Sequence, residues 1–148
     1  MKIRVATLAE AWELYQGLPE FAGGTIAQSE FEHRLTRESA LLLVVERDAE
    51  LIGFSVGFDR YGDGSFYSWL GGVVADARRD GVAQALLLEQ ERRLVAAGFD
   101  RIYVKSKNRF VGMLTLLLNN GYGIVGVTLP DDLPVADGRL TLLKNLRG

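Results

Sequence analysis

Three apolar stretches in the first half of the chain are separated only by short polar turns. They lie at 40–45, 51–59 and 65–74. Short turns make successive strands antiparallel, so these stretches predict a three-stranded meander. A long helix over 81–97 and a strand over 101–105 follow, and a strand that reaches its neighbour through a helix runs parallel to it. The chain is therefore restricted to a mixed sheet with helices on both faces.

The other segments complete an element order of β-α-α-β-β-β-α-β-α-β-β. Thr7 and Glu10 have the spacing of a capping box, so a helix begins there. A second helix is predicted from near Thr25 or Ser29 to near Arg37. The remaining predicted elements are strands over 2–5, 122–128 and 139–146 and a helix that Asn108 caps and that ends at Leu118. We expect one domain over residues 1–148, in the α/β class, with an α+β mixed sheet of about seven strands flanked by four helices.

The composition excludes several kinds of site. The chain has 148 residues, no Cys and one His, which excludes a disulfide framework, a cysteine nucleophile and a thiolate or multi-His metal site. No apolar run approaches the roughly 20 residues of a membrane span, and the first residues lack the apolar core of a signal peptide. A net charge of −2 argues against general nucleic-acid binding. We expect a soluble, cytoplasmic protein without metal, nucleic acid or membrane as partner.

The small net charge conceals an uneven distribution. Residues 1–77 carry 6 basic and 12 acidic side chains, whereas residues 78–109 carry 8 basic and 4 acidic ones. Such asymmetry is typical of two partners of opposite charge or of one cleft with two differently charged sides. Chance scatter of charges over solvated surfaces is the alternative.

The segment from Val73 to Leu86 carries the clearest chemistry. A strand ends there, a short loop with Arg78, Arg79 and Gly81 follows, and a long helix begins. Backbone N–H groups at a helix N-terminus lack partners, and the helix dipole adds positive charge, so this geometry binds phosphate. Neither GxGxxG nor the Gly-Lys-Ser/Thr of a P-loop is present.

Two glycines, Gly71 and Gly72, interrupt the strand before this loop. Paired glycines inside a strand indicate a bulge or the close approach of another backbone or a ligand. A simple loss of strand regularity explains them equally well.

The loop reads Arg78-Arg79-Asp80-Gly81-Val82-Ala83, which matches the Arg/Gln-x-x-Gly-x-Gly/Ala signature of the GNAT superfamily of N-acetyltransferases. The element order resembles that family over nearly the whole chain. The resemblance implies a GNAT-like sheet and acetyl-CoA (coenzyme A) as co-substrate, held between the splayed strands 65–74 and 101–105. The residues it implies for cofactor binding are Val73, Val74, Ala75, Arg78, Arg79, Gly81, Val82, Ala83, Gln84 and Asn108.

The resemblance also implies direct attack of an amine on the thioester in a ternary complex, with the N–H of Val73 or Val74 polarising the carbonyl. Leu117 occupies the position at which the family carries its general-acid Tyr. Tyr103 and Asn108 are the weak catalytic candidates, although sheet packing and helix capping explain them as well. No general base stands out, since Glu46, Asp59 and His33 are all typical of surface or structural residues.

The acceptor is expected to be a small-molecule or peptide amine. Carboxylates of the presumed acceptor side favour a cationic amine, and aromatic side chains there could line the site or belong to the core. The carboxylates are Glu20, Glu30, Glu38, Asp131 and Asp132, and the aromatic residues are Trp12, Phe21, Tyr61, Tyr67 and Trp69. A homodimer is compatible with such a fold. The alternatives are a non-catalytic acyl-CoA binding or sensing module and an interaction domain without a cofactor.

Overall fold

The computed structural model describes residues 1–21, 24, 26–129, 131–132 and 134–147. Seven strands form one mixed sheet in the order β1-β2-β3-β4-β5-β7-β6, in which β4 and β5 are parallel and the other neighbours antiparallel. The predicted element order and the mixed sheet are confirmed. The strands are β1 (Lys2–Val5), β2 (Leu41–Arg47), β3 (Glu50–Phe58), β4 (Ser65–Val73), β5 (Arg101–Lys107), β6 (Gly123–Thr128) and β7 (Arg139–Asn145).

Four α-helices within the described residues cover the two faces of the sheet. They are α1 (Leu8–Gly17), α2 (Gln28–Leu35), α3 (Val82–Ala96) and α4 (Val111–Asn119). One apolar core joins α1 and α2 to the sheet, and two others join α3 and α4 to the opposite face. Leu86, Leu87 and Leu94 of α3 are buried, whereas Ala97, the C-cap residue, is exposed. None of the helices in the described ranges is long and apolar enough to cross a membrane.

Local sequence signals explain most element boundaries. Thr7 and Glu10 form the predicted capping box at the start of α1. Asp48 and Ala49 both adopt positive φ, as a two-residue hairpin turn between antiparallel strands requires. The prediction that Asn108 caps the fourth helix is wrong, because α4 begins at Val111 with Phe110 at its N-cap.

The second helix also differs from its prediction. It begins at Gln28, after Ala27 at the N-cap, and no side chain caps it. Thr25, one of the two predicted starting points, lies outside the described residues. The helix ends at Leu35, with Phe31 and Leu35 buried as predicted.

Glu10 makes the stability of the fold sensitive to acid. Its carboxylate accepts hydrogen bonds from Arg4 and from the Thr7 amide, which lower its pKa from an ordinary 4.5 to about 2. A depressed folded-state pKa stabilises the protein above pH 4.5, and this contribution is lost as pH falls towards 2. We expect a loss of about 1 kcal/mol after allowing for solvent screening of the partly exposed pair. Urea unfolding between pH 6 and pH 2 measures it, and in Glu10→Gln that share of the acid dependence should be absent.

Candidate functional site

The parallel strands β4 and β5 pair over only part of their length. Their pairing ends at Ser68 opposite Val104, although β4 continues to Val73 and β5 to Lys107. Beyond that pair each strand stays bonded to its other neighbour, β3 or β7. The sheet therefore opens into a slot between β4 and β5, as the resemblance implied.

The irregularity that accompanies the slot lies at Trp69 and not at the glycine pair. Val56 of β3 faces Leu70 and the next residue, Gly57, faces Ser68, so Trp69 is the extra residue of a β-bulge. Gly71 and Gly72 keep regular pairing with β3, which corrects the bulge interpretation of this pair. Gly72 instead allows close approach, because an added Cβ would overlap Leu18 and lie 3.2 Å from a Glu20 carboxylate oxygen.

The N-terminus of α3 presents free backbone donors next to this slot. Gly81 is the N-cap residue at φ +78°, and no side chain caps the helix. Several backbone N–H groups of this loop donate no hydrogen bond to any described residue. They belong to Arg79, Gly81, Val82, Ala83 and Gln84. Unpartnered amides at a helix N-terminus suit an anion, so this loop fits the pyrophosphate of coenzyme A.

Some side chains of this loop are bonded to other parts of the protein and are therefore not free to bind a phosphate. Arg78 turns back to β4, where its Nε donates to the Val73 carbonyl oxygen at 3.2 Å and its Nη2 lies 2.8 Å from Glu20. Arg79, exposed at φ +70°, forms no hydrogen bond or ion pair with any described residue. Gln84 exchanges two amide hydrogen bonds of 2.8 Å with Asn120 of the segment after α4, so only its backbone remains free.

The two residues expected to polarise the thioester, Val73 and Val74, differ in the direction of their backbone N–H groups. The N–H of Val74 donates to the Ile52 carbonyl at 2.9 Å and is therefore occupied. Because the backbone groups of successive strand residues point to opposite sides, those of Val73 point into the slot. Ala75 is exposed and begins a 3-10 turn, Ala75–Ala77.

A buried hydroxyl on the opposite wall lacks a partner. Ser106 of β5 lies beyond the last β4–β5 pair, and its Oγ is buried without a hydrogen bond to any described residue. It lies on the same side of β5 as Ile102 and Val104, which pack on the α3 and α4 face. An unsatisfied buried hydroxyl costs about 1–3 kcal/mol, so a polar ligand in the slot would relieve this cost.

The catalytic candidates from the sequence occupy different surroundings. Tyr103 of β5 stacks edge-on with Tyr61 at 6.1 Å, on the face covered by α1 and α2. The amide of Asn108 donates to the Val135 carbonyl at 2.8 Å and holds the loop between β6 and β7. Leu117 is fully buried in the core. Tyr122 cannot replace it as an acid at the slot, since its hydroxyl donates to Glu91 at 2.8 Å and its pKa is raised by burial and by that carboxylate.

Two of the five carboxylates expected to attract a cationic acceptor are paired with arginines. Glu20 pairs with Arg78, and Glu30 pairs with Arg34 at 2.8 Å. Glu46, considered as a base, pairs with Arg4 at the far side of the sheet. The other two base candidates are His33, which is exposed, and Asp59. The Asp59 carboxylate accepts a hydrogen bond from the Gly62 amide. Within the described ranges no group of acidic or His side chains could hold a metal ion.

Aromatic side chains beside the slot form cation–π contacts. Arg34 lies 4.8 Å from the Trp69 ring centroid, and both Arg60 and Lys105 lie over Tyr67, at 5.2 and 5.6 Å. The sequence analysis did not predict these contacts. Tyr103 and Lys105 are two residues apart in β5 and therefore share one face of the sheet, which was a usable signal. The other aromatic residues named above, Trp12 and Phe21, pack with Tyr15 in the α1 and α2 core.

Comparison with known proteins agrees with this geometry. Residues 8–113 match the family model described as Acetyltransferase (GNAT) family. An acetyltransferase of Pectobacterium atrosepticum is 31% identical over 78 residues, 52% of this chain, and the match spans only 53% of that relative. The ribosomal-protein-S18-alanine N-acetyltransferase of Escherichia coli superposes with a TM-score of 0.83 at 12% identity, over 99% of this chain and 94% of its own.

A second solved structure, an aminoglycoside 6'-N-acetyltransferase complexed with coenzyme A, superposes with a TM-score of 0.76. It is 15% identical, and the match covers 100% of this chain and 98% of the other. Identities this low establish a shared fold and leave substrate choice to the chain's own residues.

Proposed function

The chain belongs to the GNAT family of acetyltransferases, and from that premise we propose that it transfers an acetyl group from acetyl-CoA to a primary amine. The observation that carries the proposal is the slot between β4 and β5, which opens beside the free amides at the N-terminus of α3. Arg79 adds an uncommitted positive charge to those amides. Together they suit the phosphates of the cofactor.

The proposed reaction is direct attack in a ternary complex. The amine nitrogen bonds to the thioester carbonyl carbon, the carbon–sulfur bond breaks, and the sulfur leaves as the thiol of CoA after taking up a proton. The N–H of Val73 is the proposed donor to the carbonyl oxygen, since that of Val74 is bonded to β3. Holding both reactants in one slot supplies much of the rate enhancement through orientation.

Proton transfer is the part of the mechanism in which this chain departs from the family pattern. Leu117 cannot donate a proton, so we propose that water or Tyr103 protonates the leaving sulfur. Glu20 is the proposed acceptor for the ammonium proton, because its carboxylate lies beside Gly72 on the face covered by α1. Arg78 holds that carboxylate in place at 2.8 Å.

Two measurements on the purified protein test the proposal. Calorimetric titration with CoA should give saturable binding, and a thiol-release assay with acetyl-CoA and a panel of primary amines should give CoA with at least one of them. Absence of CoA binding would contradict the cofactor assignment. Binding without release for any amine would favour the second candidate, a non-catalytic acyl-CoA binding module, which the buried Leu117 supports.

The Ser106→Ala variant tests whether the Ser106 hydroxyl binds the cofactor or stabilises the fold. Removing an unpartnered buried hydroxyl should leave the free protein as stable as before, or more stable by about 1 kcal/mol. If the hydroxyl bonds to the cofactor arm, CoA affinity should fall by about threefold to tenfold, the effect of one hydrogen bond. Thermal unfolding and CoA titration measure the two effects. A large loss of stability would instead assign Ser106 a partner within the fold.

A further inference from the structure

The face of the slot covered by α1 and α2 carries an excess of positive charge. Arg60 and Lys105 share the ring of Tyr67, at 5.2 and 5.6 Å from its centroid. Arg139 of β7 faces Lys107, the next residue on the same side of β5 after Lys105. We call Arg60, Lys105 and Arg139 the cation cluster. It lies at the opening, since Tyr67 precedes and Lys105 follows the last β4–β5 pair.

The protein itself does not neutralise this cluster. None of the ion pairs formed within the described ranges includes a member of it. Four carboxylates on neighbouring elements have other partners. Asp59 accepts from the Gly62 amide, Asp63 from Ser65, Glu30 from Arg34 and Asp137 from Arg109.

Crowding these cations disfavours the charged form of Lys105 in the free protein. Burial together with the positive charges of Arg60 and Arg139 lowers the pKa of Lys105. Like charges held close together destabilise one another unless an anion joins them. An arrangement of this kind at the opening of a substrate slot therefore favours a negatively charged occupant.

We infer that the acceptor amine carries an anionic oxygen group, a carboxylate or a phosphate, which the cation cluster binds beside the slot. This inference rests on the proposed acetyl transfer. It differs from the expected cationic acceptor, because two of the carboxylates meant to attract one, Glu20 and Glu30, are paired with arginines, whereas the cation cluster has no carboxylate partner within the described ranges.

Matched acceptors test the charge directly. One series keeps the aminoethyl group and varies its end: β-alanine, its amide, 1,3-diaminopropane and O-phosphoethanolamine. A second series uses the peptides Ala-Glu-Glu, Ala-Gln-Gln and Ala-Lys-Lys. Thiol release from acetyl-CoA should be fastest with the anionic members of at least one series, by about tenfold or more in kcat/KM. The ratio of β-alanine to O-phosphoethanolamine distinguishes a carboxylate from a phosphate.

Variants assign the preference to the cluster. Lys105→Gln, and Arg60→Gln together with Arg139→Gln, should raise KM for the preferred anionic acceptor by about fivefold to tenfold per cation removed. Lys2→Gln is the matched control, because Lys2 is exposed on β1 at the opposite edge of the sheet. The cluster variants should unfold at the same or a higher temperature, since they remove repulsion, and should bind CoA as tightly as the parent.

The outcomes separate this inference from the proposed function. Equal turnover of all probes, or a preference for the cationic ones, overturns the inference and leaves acetyl transfer in place. If no probe is acetylated, both series are titrated calorimetrically in the presence of CoA. Failure of the anionic members to bind selectively then overturns the inference. Loss of CoA binding by the parent protein contradicts the proposed function itself.

Discussion

Replacing Gly81 by alanine is expected to weaken CoA binding by on the order of 10- to 100-fold, the loss of one or two charge-assisted contacts. Gly81 sits at φ +78° as the N-cap of α3, and a Cβ there would meet no protein atom within 4 Å. The methyl group would therefore project into the space beside the free amides, where a phosphate oxygen would lie. The left-handed backbone would also cost about 1–2 kcal/mol for any residue with a Cβ.

The Gly62→Ala variant controls for the cost of placing a residue with a Cβ in a left-handed backbone conformation. Gly62 also has a positive φ, of +65°, and open space around it, but it lies in the turn between β3 and β4. Both variants should lose a similar amount of thermal stability, whereas only Gly81→Ala should lose CoA affinity by calorimetry. Equal CoA affinities in the two variants would remove this loop from the cofactor site.

Gly57→Ala is expected to cause the largest loss of stability, about 3 kcal/mol or roughly 10 °C in Tm. A Cβ at this position would overlap the carbonyl oxygen of Tyr67 and lie 2.5 Å from Cε1 of Phe66. A backbone atom of a neighbouring strand cannot move aside as a flexible side chain can. The substitution therefore pushes β4 away from β3 at the bulge that precedes the slot.

Gly17→Ala is the matched substitution without a clash. Gly17 ends α1, has no atom within 4 Å of an added Cβ, and should accept alanine with little change or a small gain. Circular dichroism melting curves compare the two variants. A Gly57→Ala protein that melted with the parent would show that β3 and β4 have room to separate, and the bulge would then need another cause.

Short-range signals in the sequence predicted most of the fold. The capping box of α1 and the hairpin turn at Asp48 and Ala49 each depend on residues within a few positions of one another. The loop with unpartnered amides at the start of α3 is predictable for the same reason, since Gly81 and the first residues of the helix are contiguous. The antiparallel arrangement of β2, β3 and β4 followed from the short turns, and the parallel pairing of β4 and β5 followed from the helix between them.

Features that depend on contacts between distant segments could not be predicted in this way. The bulge lies at Trp69 because Gly57 of the neighbouring strand faces Ser68, which no local pattern encodes. Arg78 resembled a free phosphate ligand until its pairing with Glu20, 58 residues away in sequence, became visible. The three members of the cation cluster come from separate segments, and only the folded sheet gathers them on one face.

The crowding of Arg60, Lys105 and Arg139 gives ionic strength two opposite effects on this protein. The Debye length is about 8 Å at physiological salt, comparable to the spacing of charges that share one aromatic ring. Added salt therefore weakens the repulsion among these cations and stabilises the ligand-free fold. The same screening weakens the attraction of the cations and of the α3 N-terminus for anions. Melting temperature and affinity for charged ligands should thus change in opposite directions as salt is raised, and neither can be compared between buffers unless ionic strength is matched.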